Sequence, residues 1–82
     1  MNYEVAHKGI PVIQKDLSGN ILEYYSSAMQ AVKKYSKSKK PSSTKIILVC
    51  RGERKSAYGY LWQFATREEY ENYIATKNNY EN

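Results

Sequence analysis

The residues best placed for chemistry lie between Ser43 and Lys55. Ser43, Thr44, Lys45, Leu48 and Arg51 fall along a predicted helix, and Arg54 and Lys55 follow Gly52. A guanidinium offers a planar fork of donors and an ammonium a point charge, and both suit phosphate. Upstream, Lys33, Lys34, Lys37, Lys39 and Lys40 crowd a short stretch that ends at Pro41. Lysines supply the sequence-independent part of DNA affinity. Phosphate contact is therefore expected from Lys39, Lys40, Arg54 and Lys55.

Groups that make or break bonds are few. The chain has one histidine, His7, and one cysteine, Cys50. It has no Gly-rich phosphate loop, no Cys/His cluster and no Ser-His-Asp set, so no enzyme activity, metal or cofactor is expected. Asp16, Ser18 and Asn20 alternate like the start of a calcium loop. However, Ile21 stands where such a loop needs glycine, and Ser27 where it needs an acid. A turn is the expected reading.

Length and composition bound the setting. At 82 residues, 41% of them hydrophobic, the chain is expected to form one small domain. No apolar run reaches membrane-spanning length, and the first residues lack the pattern of a secretory signal. A lone cysteine, read as buried, suits a reducing cytoplasm. The net charge of +5 and pI near 9.3 favour an acidic partner, nucleic acid first among them.

The elements that must position these residues follow in order. Met1 to Lys8 is read as a loose arm or short strand. Ile10 to Lys15 and Ile21 to Tyr25 read as a β-hairpin around the turn residues Asp16 to Asn20. Ser27 caps a first helix to Tyr35, with Gln30 completing a capping box. Its Ala28, Ala31, Val32 and Tyr35 share one face. Ser42 and Ser43 cap a second helix, about Thr44 to Arg51, which Gly52 ends. Ile46, Val49 and Cys50 face the core on this reading, and Thr44, Ile47, Leu48 and Arg51 point away. Tyr58, Tyr60, Trp62 and Phe64 alternate as on a half-buried strand. Thr66 and Glu69 open a last helix to Lys77, whose Tyr70, Tyr73 and Ile74 share a face, and Asn78 to Asn82 should fray. The fold class expected is α+β: a β-hairpin, two helices in a helix-turn-helix-like pair, a third strand and a C-terminal helix.

From about Gly9 to Phe64 the chain resembles the intron-encoded nuclease repeat. This is a nuclease-associated modular DNA-binding domain, an accessory in homing endonucleases of the HNH and GIY-YIG kinds. The stretches that carry the likeness are Pro11-Val-Ile-Gln-Lys-Asp-Leu-Ser-Gly-Asn20, Ser27-Ala-Met-Gln-Ala31 and, most specifically, Arg51-Gly52-x-Arg54-Lys55-Ser56-Ala57-x-Gly59-Tyr60-x-Trp62. The resemblance implies duplex DNA binding through the helix-turn-helix, without chemistry, with base or groove contact from Thr44, Lys45, Leu48 and Arg51 and with Ser43 at the start of that helix; residues 65–82 lie beyond it as a helical extension. An HNH nuclease needs two histidines, and a GIY-YIG nuclease needs a larger domain with its own arginine and glutamate.

The chain departs from that pattern at three positions. Ile47 and Leu48 stand where the family usually has small or charged polar residues, and Tyr58 replaces a usual glycine. Two adjacent aliphatics on a basic face are expected to be covered, by Tyr70 and Ile74 of the last helix or by a second copy of the chain. This opens an alternative: a protein-interaction module, such as an accessory of a phage or mobile element, that has lost DNA readout. A third reading is binding of single-stranded nucleic acid or RNA by tyrosines beside lysines.

Overall fold

The computed structural model describes residues 10 to 81, with side chains as far as Lys77. The expectations for the N-terminal arm and for His7 lie outside the described residues. The architecture is α+β, as the sequence reading expects: a three-stranded antiparallel sheet and three helices in the order β-β-α-α-β-α.

Strands β1 (Val12–Lys15) and β2 (Ile21–Tyr25) form the hairpin. Their turn is built by Asp16, whose carboxylate accepts from the backbone N–H groups of Ser18 and Asn20 at 2.9 Å and from the Asn20 amide at 3.1 Å. These bonds, that from the Asn20 N–H first, hold its carboxyl below the usual range. The Asp16 oxygens are thus occupied by the turn itself, as a turn reading requires.

Helix α1 (Ala28–Tyr35) begins at Ser27, whose hydroxyl accepts from the Gln30 N–H at 3.2 Å. Helix α2 (Thr44–Cys50) ends in two bonds: Gly52 N–H to the Val49 carbonyl and Glu53 N–H to the Leu48 carbonyl. This double closure needs a left-handed residue between helix and exit, and Gly52 supplies it with φ +80°. Strand β3 (Leu61–Phe64) pairs with β1, so β1 is central and the order is β2-β1-β3. Helix α3 (Arg67–Glu81) opens with both halves of a capping box: Thr66 N–H to the Glu69 carboxylate at 2.8 Å, and Glu69 N–H to the Thr66 hydroxyl at 3.0 Å. It runs on to Glu81, beyond the expected end at Lys77.

The sheet separates two layers. Val12 and Trp62 face α1 and α2, closing a core with Ala28, Ala31, Val32, Ile46, Val49 and Ala57. Gln14, of the same parity as Val12, is buried and satisfied: its amide donates to the Tyr35 hydroxyl at 2.7 Å and accepts from the Tyr25 hydroxyl at 3.0 Å. Alternation along a strand puts Ile13 and its partner Tyr24 on the other face. There Tyr24 stacks on Tyr73 of α3, centroids 4.4 Å apart. Glu23 of the edge strand β2 accepts from the Tyr73 hydroxyl and lies 3.8 Å from the Lys77 ammonium. The basic pair of helices and the last helix therefore lie on opposite faces.

Two expectations are corrected. The aromatic strand does not start at Tyr58. Ala57 and Tyr60 exchange both backbone bonds, at 3.0 Å, around Tyr58-Gly59, and the strand begins at Leu61. Positive φ at both central residues, 56° and 84°, is the mark of a two-residue hairpin turn that matches strand twist. Second, Ile47 does not point away from the core. It packs on the edge of the core cluster, half-buried, beside Cys50. The last helix docks on the far side of the sheet through Tyr73, so the expected cover from Tyr70 and Ile74 is replaced by the domain's own core.

Candidate nucleic-acid interface

Nine of the thirteen cations fall between Lys33 and Lys55, a stretch with one acid, Glu53. That stretch contains the end of α1, the connection to α2, all of α2 and the turn after it. Lys39, Lys40, Thr44, Lys45, Arg51, Arg54 and Lys55 are all exposed; Ser43 and Leu48 are half-buried. The expected contact residues are thus on one continuous run of the helical layer.

Local chemistry orients several of them. Pro41 and the serines shape the connection: the Ser36 hydroxyl accepts from Ser38 N–H and that of Ser38 from Lys40 N–H. Such side-chain turns hold the backbone without a helix, so the lysines stand out from a built loop. At the start of α2, Ser42 rather than Ser43 does the capping, accepting from Thr44 N–H at 3.3 Å and sharing a bond with the Thr44 hydroxyl at 2.8 Å. Arg51 pairs with Glu53 at 2.9 Å, both half-exposed, a contact worth little in water. Arg54 donates from Nε to the Ser56 carbonyl at 2.6 Å, which aims its guanidinium along the turn.

Reading the sequence alone misses the aromatic row that joins these elements. The Lys34 ammonium stands 5.9 Å from the Tyr25 ring centre and 5.7 Å from that of Tyr35. Tyr35 stacks on Tyr58 at 6.1 Å and meets Tyr60 at 5.4 Å, and Lys45 stands 5.9 Å from the Tyr58 ring centre. The signal was present as Tyr58-Gly59 between two residues able to pair. Cys50 takes no part: burial pushes its thiol up to about 12, far from a reactive thiolate.

On the opposite face, Glu68 and Glu69 sit in the first turn of α3. Tyr24, Glu69, Asn72, Tyr73 and Thr76 line an open groove there. Among the described residues, no helix is long and apolar enough to cross a membrane. No family model matches the chain, and no curated protein or solved structure matches it.

Proposed function

We propose that this protein is a non-catalytic DNA-binding module that lays its helical layer on duplex DNA. The observation that supports this most is the segregation of charge: nine cations and one acid along the α1–α2 stretch, with the acidic start of α3 across the sheet. On this reading Thr44, Lys45, Leu48 and Arg51 meet the groove from α2, with Ser43 at its N-terminal end, and Lys39, Lys40, Arg54 and Lys55 meet phosphates. The resemblance to the nuclease-associated repeat supports the same assignment and suggests an accessory of a mobile element or phage, acting in the cytoplasm. The test is binding to random duplex DNA across a salt series. With about four phosphate contacts the log–log slope is near −3.6. No detectable binding at low salt overturns the proposal.

One observation favours a protein-interaction module instead, at a place other than Ile47 and Leu48. Among the described residues, the most exposed large apolar side chains are on the hairpin: Leu17, Ile21 and Leu22, at 67%, 54% and 48% exposure. Self-association through them doubles the mass in solution and is lost in Leu22→Lys. A mass of one chain at all concentrations removes this reading.

A further inference from the structure

We propose that Tyr58, with Lys45, forms a stacking site for a nucleobase that has left the helix: an unpaired, bulged or single-stranded base. This rests on the reading of the helical layer as a nucleic-acid surface and adds what that surface would prefer.

Three observations lead to it. Tyr58 occupies left-handed backbone, φ +56°, in a turn where glycine or asparagine would sit without strain. Strain of this kind persists where the surrounding structure enforces it, and it concentrates at functional positions. Tyr58 packs on the edge of the core cluster, as Tyr60 does, but is only half-buried there. Next, the Tyr58 ring is supported but not enclosed. Tyr35 stacks on it with an interplanar angle of 25°, the residue is half-buried, and its hydroxyl has no hydrogen-bond partner among the described residues. Last, the cation over the ring belongs to α2: Lys45, exposed and 5.9 Å from the ring centre.

A lysine over a tyrosine at an exposed site is weakly held. A base can take its place on the ring while the ammonium moves to that nucleotide's phosphate, so one contact is exchanged for two. Aromatic rings bind bases this way with little sequence preference. Bases inside an intact duplex present no free face, so the gain is confined to unpaired ones.

The test compares affinity for a short blunt duplex with that for the same duplex carrying unpaired thymines. Stacking of one base on Tyr58 gives a looped-over-blunt ratio of about 5 to 150. Tyr58→Phe keeps the ratio. Tyr58→Asn, which suits left-handed backbone, brings it to about one. A wild-type ratio near one, or an unchanged ratio in Tyr58→Asn, overturns the inference while leaving duplex binding in place. Loss of binding to both duplexes in the wild type overturns the underlying reading as well. If Tyr58→Asn does not fold, the ring protons of Tyr58 decide in the wild type. An upfield shift on adding oligothymidine supports stacking, and no shift overturns it.

Discussion

The indole N–H of Trp62 donates to the carbonyl of Ala57 at 2.9 Å, and both residues are buried. The bond spans the Tyr58-Gly59 turn and ties β3 to the basic turn before it. Trp62 is thus both core and clamp. Trp62→Ala removes a buried aromatic and should cost roughly 3–5 kcal/mol. Trp62→Phe keeps most of the apolar area but removes one of the two bonds that the Ala57 carbonyl accepts, the other coming from the Tyr60 N–H, a cost of about 0.5–1.5 kcal/mol. Denaturant unfolding of both variants checks this; a Trp62→Ala melt close to wild type would contradict the packing described above.

Charge at the α1–α2 connection should appear in the salt dependence of binding. Lys39→Ala with Lys40→Ala removes about two phosphate contacts, so the slope on duplex DNA should become shallower by about 1.8. An unchanged slope would place the phosphates elsewhere on the layer.

Ile47 and Leu48 should behave differently, though they are neighbours. Ile47 packs on the core cluster and Leu48 does not belong to it. Full burial of such a side chain is worth about 1.5–3 kcal/mol, so Ile47→Ser at a half-buried position should cost about 1 kcal/mol or more. Leu48→Lys should cost less and, by adding charge to α2, tighten DNA binding. Equal losses from the two changes would refute the division.

Stability should fall as pH rises through the alkaline range. Burial pushes Cys50 from 9.0 up to about 12. Burial, then the neighbouring Glu23, pushes Tyr73 from 10.0 up to about 12. Both groups are neutral when protonated, so the folded state holds these protons more tightly than the unfolded chain. Their contribution is complete below about pH 9 and is lost as pH rises towards about 12. Urea midpoints measured across that window should fall, and fall less in Cys50→Ala. A flat profile would show that neither group is buried as described.

Where chemistry is local, the sequence was readable. The Asp16 turn, the Ser27 cap, the Gly52 exit and the Thr66–Glu69 box depend on residues within five positions of one another, and each is present. The face of α1 was readable because Ala28, Ala31 and Val32 repeat at helical spacing and are buried. The start of β3 was not. Tyr58, Tyr60, Trp62 and Phe64 share a parity whether the chain is straight or doubled back, and only the Ala57–Tyr60 pairing decides between them. The place of β1 between β2 and β3 and the side taken by α3 rest on contacts between distant residues, Val12 with Phe64 and Tyr24 with Tyr73, which no local pattern encodes. Of the candidate interface, the cations were legible as a run, whereas the row from Lys34 through Tyr35 and Tyr58 to Lys45 appears only once three elements meet.

The division of charge across the sheet also bears on how the molecule would arrive. Cations on the α1–α2 side and acids at the start of α3 make the protein a small electric lever. A polyanion's field falls off over about 10 Å at moderate salt, so within that distance the lever feels a torque as well as a pull. On the DNA reading, the molecule would turn its helical layer forward before touching, and fewer collisions would be wasted on the wrong side. Reversing Glu68 and Glu69 to lysine would raise net attraction yet weaken that alignment. The association rate per unit of charge would then fall even as the total charge rose.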